Sequence, residues 1–180
     1  MNTRTHTLRN LYLTRTVVQV IWAALVIKGA FGPGVTAALL VLYPLWDVAC
    51  TLFDLSSATE GKSILQANAV FGVLTAIAIG ATSSSHPAYA VAAFGIWALT
   101  AGLLQLAVGL VRRKQLGGQW AMILSGAQST LAGVAFTLGG IQGTRHAKDL
   151  GGYAVFGAVY FLITALLLQR KLKQEAVASI

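Results

Sequence analysis

With 180 residues, 56% of them hydrophobic and only 10% charged, and a mean hydropathy of +0.71, the chain is too apolar for an ordinary soluble domain, in which about a quarter of residues carry charge. Its one cysteine, Cys50, excludes an internal disulfide framework and a cysteine-based zinc site. A formal charge of +8 would suggest nucleic acid in a soluble protein. Here the basic residues cluster at the ends of apolar runs, where such clusters orient membrane spans and meet anionic headgroups. Lipid is therefore the expected partner and nucleic acid is not.

Six apolar runs, each near the ~20 residues that a ~30 Å hydrocarbon layer requires, predict an all-α membrane protein filling residues 1–180 as one domain. The first helix is expected over 12–31. The polar residues before it and the lack of a small-residue cleavage site predict a retained span, not a signal peptide. A Gly32, Pro33, Gly34 turn leads to the second helix over 35–55. The third is expected over 63–81 and ends in a Ser-rich loop before Pro87. The fourth covers 88–111 and stops at Arg112, Arg113 and Lys114. The fifth and sixth are expected over 119–139 and 150–169, followed by a basic tail. Lys and Arg fall unequally on alternate sides: only Lys28, Arg145 and Lys148 lie opposite the termini, and the rest of the 13 lie with them. That bias predicts the bacterial inner membrane with both termini cytoplasmic.

The second helix, LLVLYPLWDVACTLFD, is organised around two carboxylates. Leu, Val and Phe each favour insertion by roughly 0.3 to 0.6 kcal/mol, whereas a central Asp opposes it by roughly 2.5 to 3.5 kcal/mol. With Leu55 just beyond this stretch, nine such residues (Leu39, Leu40, Val41, Leu42, Leu45, Val48, Leu52, Phe53 and Leu55) only just offset Asp47, provided that Asp54 lies near a headgroup layer. At about 100° per residue Asp47 and Asp54 share one face with Tyr43, Cys50 and Thr51. A polar stripe on a membrane helix turns toward protein or a wet cavity. Pro44, inside the run, should bend it or free a nearby carbonyl. Matching depth across the first hairpin predicts an ion pair between Arg15 and Asp54, and places Gln19 or a neighbouring helix against Asp47.

Gln66, Asn68, Gln105, Gln128, Tyr160 and Thr164 add polar groups at membrane depth. Apolar helices associate in lipid through small residues, so Gly95, Gly102 and Gly109, Gly72, Ala76 and Gly80, and Gly126, Ser129 or Thr130, and Gly133 are the expected contact faces. Trp22, Trp97 and Trp120 read as packing or interface anchors. Trp46 and Trp97, like Asp54 and Gln105, are 51 positions apart, in keeping with three helical hairpins: first with second, third with fourth, fifth with sixth.

The Tyr43, Pro44, Leu45, Trp46, Asp47 string, GIWALTAGLLQLAVGLVRRK in the fourth helix and GGQWAMILSGAQSTLAGVAF opening the fifth together resemble the HdeD-like acid-resistance membrane proteins. The resemblance implies a small, non-catalytic inner-membrane protein connected with acid or general stress.

No phosphate loop, HExxH or CxxC pattern occurs in the sequence, and His6, His86 and His146 lie in the tail and loops. Neither an enzyme nor a cofactor or metal is expected. His86 and His146 share a predicted outer side, where imidazole could report external acid. Two functions remain: the HdeD-like stress protein, and a small oligomeric channel or proton-coupled transporter using Asp47, Asp54, Arg15, Gln19 and Tyr43. A homo-oligomer is expected for either.

Overall fold

The computed structural model describes residues 3–29, 31–83, 85–116 and 119–178. Residues 1, 2, 30, 84, 117, 118, 179 and 180 lie outside them; of these, 30 belongs to the expected first helix, 84 to the expected Ser-rich loop, and 117 and 118 to the opening of the fifth-helix motif. The chain is an all-α, six-helix, multi-pass membrane protein: α1 (Thr3–Lys28), α2 (Pro33–Ser57), α3 (Lys62–Thr82), α4 (Pro87–Leu116), α5 (Trp120–Ile141) and α6 (Asp149–Ala178). All six are long and apolar enough to span a bilayer. Only 33–44% of each spanning stretch is buried inside the bundle. Most of the apolar surface, such as Val17, Ile77 and Leu131, is therefore left to face lipid.

Three helices extend well past their apolar runs. α1 begins at Thr3 instead of Tyr12, α4 continues through Arg112 to Leu116, and α6 carries the basic tail to Ala178. Arg, Lys, Gln and Glu are good helix formers, so loss of hydropathy marks the membrane edge without ending the helix. Glycines mark the turns, after α1 and α5 and just before α3. Gly29, Gly61 and Gly143 adopt positive φ of 60°, 71° and 69°, which costs a residue without Cβ little. α2 starts with Pro33 in its first turn after Gly32, a position where the missing N–H has no intrahelical partner to lose.

The closest-packed pairs are α4 with α5, α1 with α6 and α2 with α3. This order is offset from the expected hairpins: α3 packs well on α4, but α5 meets α6 more sparsely and α1 barely touches α2. Side-chain size accounts for the difference. On α4 and α5 the glycines interlock: a Cβ on Gly102 would lie 2.6 Å from Thr130 N, one on Gly126 2.6 Å from Leu106 N, and one on Gly133 2.7 Å from Gly95 O. The two backbones touch there, as small-residue faces allow. Gly72 likewise admits Val48 of α2, and Gly151 lets α6 close on Ile27 of α1. Between α1 and α2, by contrast, stand Trp22, Tyr43, Arg15 and Asp47, which hold the axes apart.

An aromatic cluster fills the half of the bundle away from the termini. Tyr43 lies 4.3 Å from Trp22, 5.4 Å from Phe94 and 5.5 Å from Trp97 by ring centroid, and Tyr153 joins Phe94 and Phe136 edge-on. Such contacts add ~0.5–1.5 kcal/mol each beyond burial. A second core, including Leu8, Tyr12, Cys50, Phe161 and Leu168, lies toward the termini. The polar interior lies between them.

Candidate functional site: two buried ion pairs

α2 supplies both acids. Asp47 lies ten positions before Ser57 and Asp54 three, about 15 and 4.5 Å from the helix end at ~1.5 Å per residue. Both face protein, as the stripe requires, but they take different partners from those expected.

Arg15 pairs with Asp47, not with Asp54. The reason lies in α1, whose start at Thr3 places Arg15 twelve positions, about 18 Å, into the helix. That is the level of Asp47. Arg15 also lays its guanidinium over Phe161 of α6, 4.4 Å from the ring centroid, a favourable cation–π geometry. The other carboxylate oxygen of Asp47 accepts a hydrogen bond from Asn68 Nδ2 of α3 at 2.7 Å, and the same amide lies 2.9 Å from Thr51 Oγ1. A neighbouring helix therefore caps Asp47, and it is α3. Gln19 instead lies along the side of α6, where a Cβ on Gly157 would come within 3.0 Å of its Oε1. Tyr43 belongs to the aromatic cluster, and both residues line the cavity that Arg15 and Asp47 border.

Asp54 is held by Arg112 of α4. Arg112 Nη1 and Nη2 donate to its two oxygens at 2.6 and 3.1 Å, the forked geometry that guanidinium and carboxylate share. Nη2 also reaches Glu60 O at 3.5 Å, across the turn that Gly61 makes. Arg112 is 1% exposed. The sequence reading placed it in a loop among orienting charges; its position within a turn of the membrane edge, level with Asp54, was the signal available.

The two pairs differ in their surroundings. Arg15 and Asp47 lie on the boundary of two cavities. One, about 40 Å³, extends toward Tyr43, Trp97, Gln128 and Tyr153; the other, about 60 Å³, extends toward Thr51, Asn68, Asp54 and Arg112. At ~10–15 Å³ per water, they have room for about three and about four molecules. Gln105 lines both cavities and donates to Met122 O at 3.2 Å. Gln66 is exposed on the outside of α3, apart from this network.

At the end of the bundle away from the termini, a shallow hollow of about 280 Å³ is bordered by Thr36, Ser83, Arg145 and His146. The aromatic cluster stands between it and the polar interior. His146 N donates to Asp149 Oδ2 at 2.9 Å, which holds the start of α6, and His86 packs on Tyr89. Pro44 leaves α2 unbroken. It cannot donate to Leu40 O, and the adjacent carbonyl, Leu39 O, accepts Trp22 Nε1 at 2.8 Å. Among the described residues no group of three His, Cys, Asp or Glu could hold a metal.

The site and fold define a polytopic membrane protein with charge pairs inside its bundle. No family model matches the chain, and no curated protein or solved structure matches it.

Proposed function

We propose that the chain is a small transporter of the bacterial inner membrane, with cytoplasmic termini, in which the Arg15–Asp47 pair is the switching element. The observation that supports this reading best is the pair's place as a shared wall between two polar cavities. A charge pair at membrane depth is costly, and one kept only for packing is better served by dry surroundings. A wall that can open by exchanging partners suits transport. Cavities of about 40 and 60 Å³ are too small for a continuous aqueous pore. The interior therefore fits stepwise passage past the pair, with the aromatic cluster closing the other side. Assembly into a homo-oligomer is part of the proposal, and native mass measurement in nanodiscs tests it.

Full-length protein in liposomes under a pH gradient tests the transport reading. Flux of protons or of a small solute is expected from the parent protein and not from a folded Asp47→Asn variant. If nothing moves under any gradient, transport is refuted. The second reading, a non-catalytic protein of acid or general stress, is implied by the resemblance to HdeD-like proteins and favoured by the Arg112–Asp54 pair, which is forked and suited to locking helices together.

A further inference from the structure

The hollow of about 280 Å³ at the end away from the termini takes no part in either buried ion pair. Its walls come from all three turns of that end: Phe31 and Pro33 where α1 gives way to α2, Ser83 and Pro87 between α3 and α4, and Arg145 and His146 between α5 and α6. Three turns around one opening set its mouth along the bundle axis, toward water and away from the acyl chains that flank the helices. Its floor holds Leu40 and Ala90, only 3% and 1% exposed, which belong to the same packed core as Trp22, Tyr43 and Phe94. The hollow therefore ends on the aromatic cluster and does not run into the polar interior. Apolar surface gathered where it meets water marks an interaction site, and apolar walls with a few placed polar groups are the usual form of a small-molecule site.

The polar atoms of the lining then give the guest its charge. Thr36 Oγ1 donates to Gly32 O at 3.3 Å and Ser83 Oγ to Ile79 O at 2.6 Å, so both hydroxyl protons are already used. Arg145 is held at the rim by its own backbone: its N–H and that of Thr144 donate to Gly139 O at 3.1 and 2.8 Å, and its stem packs on Gly139. The ion pairs among the described residues lie elsewhere, which leaves this guanidinium uncommitted. No acid lines the hollow. Asp149, close by in sequence, already accepts from His146 N at 2.9 Å, and Lys28 and Lys148 add positive charge at the same end of the bundle. The acceptors on the lining, the two hydroxyl oxygens, the backbone carbonyls and the His146 ring, carry no negative charge to oppose an anion. Volume sets the size: an apolar cavity of about 150 Å³ holds benzene, so about 280 Å³ accommodates two fused rings. We propose that this hollow binds a small organic monoanion, a two-ring aromatic carboxylate, with its rings on Leu40 and Ala90 and its carboxylate on the planar fork of Arg145. Binding there does not depend on the transport reading.

Equilibrium dialysis of labelled naphthoate against the full chain in zwitterionic nanodiscs, with the uptake of empty nanodiscs subtracted, tests it. Saturable binding at one site per chain is expected. Naphthamide keeps the rings without the charge and should bind about tenfold more weakly; acetate keeps the charge without the rings and should not compete at equal concentration. Arg145→Gln should bring naphthoate down to the level of naphthamide and leave naphthamide itself unchanged. Ala37→Phe, which fills the hollow from α2, should abolish binding of both. The variants are compared with the parent at matched monodispersity and helical content. Absence of saturable binding by the parent, equal affinity for the amide, indifference to Arg145→Gln, or binding that survives in folded Ala37→Phe would each overturn the proposal. Displacement of naphthoate by an equal concentration of glycerophosphate, a bare lipid headgroup, would give the rim to lipid and overturn it too.

Discussion

Removing Arg112 should be among the most damaging single changes in the interior, and removing its partner as well should largely undo the damage. In Arg112→Met the chain of methylenes is kept, but Asp54, 7% exposed, loses both forked bonds of 2.6 and 3.1 Å. No other cation is bonded to it among the described residues. Stranding one member of a buried pair costs ~3–5 kcal/mol. Replacing both members with apolar residues of similar volume is often neutral, so Arg112→Met with Asp54→Leu should fall within about 1 kcal/mol of the parent. The matched change at the other pair, Arg15→Met, should cost less, about 1–3 kcal/mol, because Asp47 keeps Asn68 Nδ2 at 2.7 Å. Unfolding by SDS in mixed micelles, followed by tryptophan fluorescence, measures all four proteins. The reasoning fails if Arg112→Met lies within about 1 kcal/mol of the parent, or if the double variant is no better than the single.

Two further changes test how the helices are held. Gly133→Ala sets a methyl group 2.6 Å from Leu99 Cα and 2.7 Å from Gly95 O, both backbone atoms, so α4 and α5 must part. A loss of ~1–3 kcal/mol is expected. Gly152→Ala, with nothing within 4 Å of the added methyl, should instead be neutral or stabilising by up to ~1 kcal/mol; the same SDS titration reads both. Trp22→Phe removes the N–H bonded to Leu39 O at 2.8 Å while keeping an aromatic ring beside Tyr43. It should lower stability by about 0.5–1.5 kcal/mol, and an unchanged unfolding midpoint would show that lipid or water replaces the bond.

The number of spans and the small-residue faces were legible because lipid imposes them directly: apolar length counts the helices, and Gly95, Gly102, Gly126 and Gly133 can only be contact surface. That Asp47 and Asp54 turn inward was equally legible, since their spacing leaves no alternative but lipid. Which cation each acid takes was not. The answer depended on where α1 begins and α4 ends, and hydropathy loses sight of a helix once it enters the headgroup layer. Arg15 therefore seemed one turn from the edge when it lies twelve positions inside its helix. Arg112 has the composition of an orienting loop charge, yet it is among the most buried large side chains in the protein. The helix order was hidden for a related reason. Pairing by sequence neighbourhood favours α1 with α2, whereas side-chain size between them, Trp22 and Tyr43 above all, sends α1 to α6.

The two ion pairs share one chemistry and one helix but carry different consequences, and the difference is in how each acid is held. Arg112 occupies both carboxylate oxygens of Asp54, at the edge of the cavity of about 60 Å³. Any rearrangement there must break two charge-assisted bonds together, which makes the pair a clamp between α2 and α4. Arg15 and Asp47 sit between the two cavities. The carboxylate is held independently by Asn68, and the guanidinium rests on Phe161. Either partner can leave the other without becoming stranded, so the barrier to exchange is lower at this pair. A clamp at Asp54 and a movable contact at Asp47, two helical turns apart on one face, give α2 a fixed end and a responsive middle. That arrangement lets a local change in charge alter the cavities without unfolding the bundle.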